Sequence, residues 1–395
     1  MFNRTVLASA VLLAASPSFA YDFSFKGMIK PEFINTSAAV GSYGNTYSQV
    51  APTHALRTDI FAGGPATAQQ TEYLDSPAGS FQIAHSRFSL NMKHEKVRTI
   101  FEFDFIDGDD GFTNQTAIQA QGARLRLATI YYDASENLTY FAGQKWSTAA
   151  GIKSNGSYNW IGNGYRAGNS GFLALEAGAT YKADDWTITG AVTGRGRNNS
   201  ATGINANELG GMPGLALDVN YAYSGHKIGF AGHVSKVRFE NEAGFTSGQD
   251  QDANLFKVYG SWKFDGFKLD AEFYTGESLN NQNALGIAPS TRLDGAGAVR
   301  EGFGESGYFA YVTWSPAAGH TMKFGHSNAS VDSSDQDRLS LTELADNSTT
   351  YINYGVELDE SLVAFAQLTD FTTQYGGDFA EFSSLETRVG VVFKF

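Results

Sequence analysis

Cysteine is absent from all 395 residues. That excludes disulfide scaffolds, thiolate metal sites and cysteine nucleophiles together. Charged side chains are scarce at 17%, and the formal charge is −13. A phosphate-backbone binder needs a basic footprint, so nucleic acid is not an expected partner. The chain lacks any apolar stretch long enough for a spanning helix, which takes about 20 residues; its one N-terminal run, Val6–Ala15, is ten. No segment shows a 3.6-residue apolar stripe of helical length. In contrast, glycine is plentiful at 44 residues and aromatics reach 14%, a balance that argues against intrinsic disorder.

The N-terminal run is Val6–Ala15, preceded by Arg4 and followed by Ser16-Pro17-Ser18-Phe19-Ala20. A short apolar core ending in small residues reads as a secretory signal over 1–20, cleaved before Tyr21. The remaining residues, 21–395, are expected to form one barrel.

Period two runs along that length. Phe23, Phe25, Gly27 and Ile29 alternate with Ser24, Lys26 and Lys30, and Val97, Thr99, Phe101, Phe103 and Phe105 with Arg98, Glu102 and Asp104. Leu125, Leu127, Thr129 and Tyr131 are expected to share an apolar face, leaving Arg124 and Arg126 on the other. The pattern recurs to Leu385, Thr387, Val389, Val391, Phe393 and Phe395. Side chains two apart share a face of a strand, so each segment has one greasy and one polar side.

The links between segments fall into two kinds. Tight turns are expected near 94–96, 133–137, 183–185, 224–226, 265–266, 315–319 and 359–360. Long polar links are expected over 35–80, 107–119, 147–171, 196–213, 240–252, 276–306, 330–348 and 372–382. The count is 16 strands, seven short turns and eight long loops. Such asymmetry predicts an all-β fold: a 16-stranded antiparallel transmembrane β-barrel with short periplasmic turns and long extracellular loops. Aromatics beside the turns, including Tyr131, Tyr132, Tyr181, Trp186, Tyr223, Phe264 and Trp314, read as a headgroup-level girdle.

A signal peptide, 16 strands, a long third link and terminal Phe395 resemble the trimeric general porins of Gram-negative outer membranes. A narrower similarity runs from about 82 to 148. Its residues are Ser86-Arg87-Phe88, Phe101-Glu102-Phe103-Asp104-Phe105, Arg124-Leu125-Arg126 and Gly143-Gln144-Lys145-Trp146-Ser147-Thr148. In these the chain is similar to the DcaP-type porins, associated with uptake of small anions such as dicarboxylates. The resemblance implies a homotrimer, a third loop folded into the pore, and passive diffusion of small hydrophilic solutes. Outer-membrane lipid and lipopolysaccharide are the surroundings it implies.

With the apolar faces toward lipid, the inward cations include Lys26, Lys30, Lys93, Lys182, Lys257, Lys263, Lys268 and Lys394 besides the arginines. Inward acids include Glu32, Glu102, Asp104, Glu176, Asp218, Asp270, Glu272, Glu357 and Glu386. A basic ladder of Arg87, Arg98, Arg124, Arg126 and Arg388 is expected near the constriction, with Arg166 delivered by the third loop. Charged rings bias which ions enter a pore, and arginine forks grip carboxylates. About half of the ladder is expected to be paired with Glu102, Asp104 or Glu386, because charges in low dielectric need partners. Lys145 and Trp146, with the aromatics of the link, complete the candidate solute-binding set. The alternative reading of the link is an ordinary surface loop.

Other chemistry has weak support. His326-Ser327-Asn328 superficially resembles an outer-membrane phospholipase triad, but adjacent residues face opposite sides. His233 and Ser235 have the right spacing yet are expected to face the lumen. Asp107-Gly108-Asp109-Asp110-Gly111 lacks the full calcium-loop pattern, and Gly194-Arg195-Gly196-Arg197 precedes no helix. No enzyme activity, metal or cofactor is expected. An adhesin or structural barrel is the alternative function, with a hydrolase less favoured.

Overall fold

The computed structural model describes residues 22–38, 77–83, 86–104, 124–153, 167–171, 173–194, 213–239, 249–279, 286–288, 302–339, 343–376 and 381–395. The expected signal peptide, Arg166 and the acidic run at 107–111 lie outside the described residues.

Eighteen strand segments join in one antiparallel sheet that closes on itself. They run β1 (Asp22–Ile29), β2 (Glu32–Thr36), β3 (Ala78–Gln82), β4 (Arg87–His94), β5 (Val97–Asp104), β6 (Arg124–Asp133), β7 (Leu138–Trp146), β8 (Leu173–Ala183) and β9 (Trp186–Thr193). The second half comprises β10 (Gly214–Tyr223), β11 (His226–Phe239), β12 (Gln249–Phe264), β13 (Phe267–Glu277), β14 (Gly304–Ala317), β15 (His320–Val331), β16 (Leu344–Asp359), β17 (Leu362–Tyr375) and β18 (Phe382–Lys394). β1 with β2, and β3 with β4, are halves of two interrupted staves, so the barrel has 16. Closure falls where β18 pairs with both halves of the first stave, Met28 opposite Lys394 and Ile34 opposite Arg388.

The interruption has a local cause. Pro31 has no N–H to give the ladder. Its neighbour Lys30 donates its backbone N–H to Ser86 Oγ at 3.0 Å, in the gap between β3 and β4. The Ser86-Arg87-Phe88 motif thus joins two broken staves by a side chain where the backbone ladder lapses.

All seven expected turns join consecutive strands at one end, and all eight expected long links leave the other. Outward positions are apolar: Leu175 is 62% exposed, Phe25 59% and Val258 53%. At the turn end outward rings pack on one another, Trp186 with Tyr221 at 5.0 Å and Phe267 with Trp314 at 6.0 Å between centroids. No described helix is long and apolar enough to cross a membrane.

One expected face is corrected. β6 carries an irregularity where Glu102 pairs with Leu127 but Phe103 with Leu125, leaving Arg126 as the extra residue. A bulge re-aims the side chains beyond it. Thr129 is buried inside and Tyr131 packs on inward Phe141, while Ile130 and Tyr132 face outward. Tyr131 therefore belongs to the lumen and not to the girdle.

The staves are unequal. β4 to β10 span 8–11 residues, whereas β12 and β16 span 16. At about 3.4 Å per residue the long ones reach ~50 Å, well beyond an apolar band of ~25 Å. Inside their loop ends lies a dry cluster of Leu255, Tyr274, Leu279, Ile287, Phe303, Ala329, Val331, Leu344 and Tyr375. Ile287 and Ala288, from the link after β13, donate backbone N–H groups to Glu305 at 3.3 and 2.7 Å, beside the Tyr274 hydroxyl at 3.0 Å. Among the described residues this cap fills the lumen on the side of β12–β17.

Candidate functional site

The Gly143–Thr148 segment is the hinge through which the chain turns into the barrel. Gly143 has φ +132°, a backbone that side-chain-bearing residues rarely adopt. As β7 parts from β6, Gln144 Nε2 takes the place of the lost ladder, donating to the carbonyls of Leu125 (3.1 Å) and Arg126 (2.9 Å). Lys145 Nζ lies 2.9 Å from Glu176. Trp146 turns inward and carries the Arg126 guanidinium 5.0 Å from its ring centroid. Ser147 then caps a 3-10 turn, Thr148–Ala150.

Buried carboxylates hold the link at both ends. Glu176 accepts from Thr148 N at 2.9 Å and from Thr148 Oγ1 at 2.6 Å. Glu272, across the barrel, accepts from Ile152 N at 2.9 Å. Lys257, paired with Glu272 at 2.7 Å, donates to the Ala150 carbonyl at 3.2 Å and to that of Ser170. Ile152 packs on inward Phe309, Tyr311 and Tyr351. The third link is therefore folded into the lumen and pinned to β12–β16, as the resemblance implied. It brings Lys153 inward among Lys145, Lys227, Asp218 and Arg126. Partial desolvation of the ammonium within the lumen, chiefly, and the neighbouring cations lower the Lys153 pKa below its ordinary value, although its side chain stays exposed.

Facing the pinned link, roughly eight staves away around the ring, is a charged band on β18, β1–β2 and β4–β6. Arg388 is bound by Glu386 at 2.5 and 2.9 Å and by Glu32 at 3.4 Å, and Lys30 by Glu32 at 3.0 Å. Arg124 grips Asp104 through two bonds of 3.0 and 2.7 Å. Arg126 pairs with Glu102 and lies 3.8 Å from Asp104. Arg87 stands between the two groups, in electrostatic reach of Lys30, Arg126, Arg124, Glu102 and Asp104. Lys30, Arg87, Arg124, Arg126 and Arg388 thus face Glu32, Glu102, Asp104 and Glu386, an excess of one positive charge. Arg388 and Arg126 are buried; Arg124 keeps 31% of its side chain exposed.

Arg98 stands apart. It sits opposite Lys93 near the turn end, bound to Asp133 at 3.0 and 3.2 Å and lying over Tyr131. At about 3.4 Å per residue it lies ~20 Å below Asp104. The structure thus brings Arg87, Arg124, Arg126, Arg388, Glu102, Asp104 and Trp146 into one neighbourhood, with Lys145 across the hinge. Sequence reasoning put Lys30, Glu32, Glu176, Lys257 and Glu272 inside but assigned them no role, whereas Glu386 was expected as a partner of the ladder. It passed over Lys153, whose only signal was its place in the third link.

The hydrolase candidates are occupied otherwise. His326 faces outward to Thr350 (2.8 Å), while Ser327 faces inward to Thr349 (2.7 Å). His233 is in the lumen, 2.9 Å from the Thr193 hydroxyl. Among the described residues no group of three potential ligands could hold a metal ion.

No family model matches the chain, and no curated protein matches it in sequence. Solved structures do match in fold. The outer membrane channel DcaP of Acinetobacter baumannii is 13% identical with a TM-score of 0.73, over 96% of this chain and 99% of that one. An anion-selective porin from Comamonas acidovorans is 12% identical with a TM-score of 0.59, over 95% and 100%. OprB of Pseudomonas putida is 10% identical with a TM-score of 0.55, over 100% and 98%. The chain has the fold of an outer-membrane porin.

Proposed function

We propose that the protein is a non-enzymatic outer-membrane channel for passive diffusion of small hydrophilic solutes, with a preference for anions. A closed wall of 16 staves leaves an aqueous path rather than a packed core. The pinned third link and the dry cap narrow that path. The observation that carries the anion preference is the one-charge positive excess of that band, extended toward the turn end by inward lysines. Arg124, which keeps 31% of its side chain exposed, is the guanidinium best placed to be shared with a passing carboxylate. Trp146 keeps Arg126 flat against its ring, so that this charge marks the wall without projecting into the path. A trimer seated among lipopolysaccharide belongs to the same reading.

Reversal potentials across a planar bilayer under a salt gradient test it. The expected result is anion selectivity that weakens at high salt, as the Debye length contracts from ~10 Å at 0.1 M to ~3 Å at 1 M. Cation selectivity at low salt would remove the proposal.

A further inference from the structure

The cations of the charged band are held in ion pairs, whereas a second group of cations below it is not. At the turn end a cavity of about 910 Å³ is lined by Lys26, Lys93 and Lys394, with Ser89 and Asn91 between them. None of these three lysines makes an ion pair with a described residue, in contrast to Arg98, Arg124, Arg126, Lys30 and Arg388. Met28 pairs with Lys394, so Lys26, two residues before Met28 on the same face, is its diagonal neighbour across the closing seam. Diagonal neighbours are 7–8 Å apart at most, within reach of two lysine side chains. Lys26 lies opposite Ser89 and Lys93 opposite Asp22. Glu102 on this cavity is held by Arg126, and the acids left are Asp22 and the terminal carboxylate of Phe395, one oxygen of which accepts from Gly27 N at 3.0 Å, so the three lysines outnumber them by one.

Lys26 and Lys394, held as neighbours, repel each other, and an anion bridging them removes that repulsion. Coulomb attraction grows with the ligand's charge, so a multivalent ion gains more than chloride does. We propose that Lys26, Lys93 and Lys394 form an anion-holding station at the turn end of the lumen, binding small multivalent oxyanions below the arginine band. The station rests on the channel reading given above and adds a second stop to it. Because the charge sits at one end, capture is stronger from the turn side than from the loop side.

The test uses the full-length protein in single oriented channels at 0.1 M KCl, with inorganic pyrophosphate and citrate as probes added to either side. For the wild type, half-block is expected at a concentration at least threefold lower from the turn side, for both probes, and this difference disappears at 1 M KCl. The triple variant Lys26→Gln, Lys93→Gln, Lys394→Gln should lose the difference, and the corresponding triple Arg variant should keep it. Block by pyrophosphate alone narrows the ligand to phosphates; block by citrate alone narrows it to carboxylates. An anion-selective channel whose block is equal from both sides, or is unchanged in the Gln variant, overturns the station and leaves the channel reading standing. A cation-selective channel overturns both. Should the Gln variant fail to fold, heat titration of pyrophosphate into wild-type protein in detergent decides: binding at 0.1 M KCl that vanishes at 1 M supports the station, and no binding removes it.

Discussion

Arg126 is held by three kinds of contact at once: the Glu102 carboxylate, the nearby Asp104 and the face of Trp146. Period two alone puts Arg124 and Arg126 inward with Leu125 outside, and the β6 bulge at Arg126 then turns Leu127 inward as well. Removing one partner of a buried pair leaves the other charge uncompensated, at a cost of ~3 kcal/mol or more. Arg126→Ala is expected to lower stability by about that amount in urea unfolding of the reconstituted barrel, and Arg126→Ala with Glu102→Gln to recover part of it. Lys153 gives a second prediction at this scale. Its folded pKa lies below the ordinary 10.5, so it loses its proton at a lower pH than a lysine in water. Anion selectivity should therefore fall in a first step as pH rises toward the alkaline range. Lys153→Met should remove that step from the reversal-potential profile. The same sign makes the charged form a burden on folding at neutral pH, relieved as pH rises through the folded pKa. Pairing of the ladder with Glu102, Asp104 and Glu386 was legible from their shared faces, but Glu32 as a partner of Arg388 was not, since the two stand 356 residues apart and period two tells which face a residue takes, never whom it meets across the seam.

Among the elements, turns and strands were the readable part. Asp265-Gly266 between two alternating runs marks a hairpin by the positive φ that glycine tolerates, and Gly266 adopts φ +72°. The β6 facing was misread for a physical reason. Thr129 and Tyr131 suit either side of a wall, so the extra residue at Arg126 shifted their parity without a visible break in the pattern. The third link was legible only through resemblance, since its glycine- and asparagine-rich composition is equally that of a surface loop. What binds it is Lys257 and Glu272, both fully buried. Replacing the pair together, Lys257→Met with Glu272→Gln, avoids stranding one charge while removing the bonds to Ala150, Ser170 and Ile152. Single-channel conductance of this variant is expected to rise and to become noisier than wild type. Unchanged conductance would mean that the link does not limit flow.

For the whole molecule, everything rests on an apolar exterior. Leu217, midway along β10 and exposed outward, faces hydrocarbon if the barrel is seated in lipid. Leu217→Arg should then cost about 2–4 kcal/mol in vesicles. The same substitution on a soluble protein's surface would fall within about 0.5 kcal/mol. The barrel class was legible because closure, alternation and two link lengths all repeat along the chain. The filling of the lumen was not, because it arises from links that return inward and from packing among residues far apart in sequence.

The unequal staves carry one more consequence. Along β15 to β17 the outer face changes from Phe324, Ile352 and Leu368 to His326, Thr350 and Asp370, and higher still Asn328 bonds Asp346 at 2.9 Å. Thr350 to Leu344 adds six residues, or ~20 Å of wall at about 3.4 Å each, clad in groups that water wets. On this side the wall is thus a parapet, a wetted rim standing clear of the lipid.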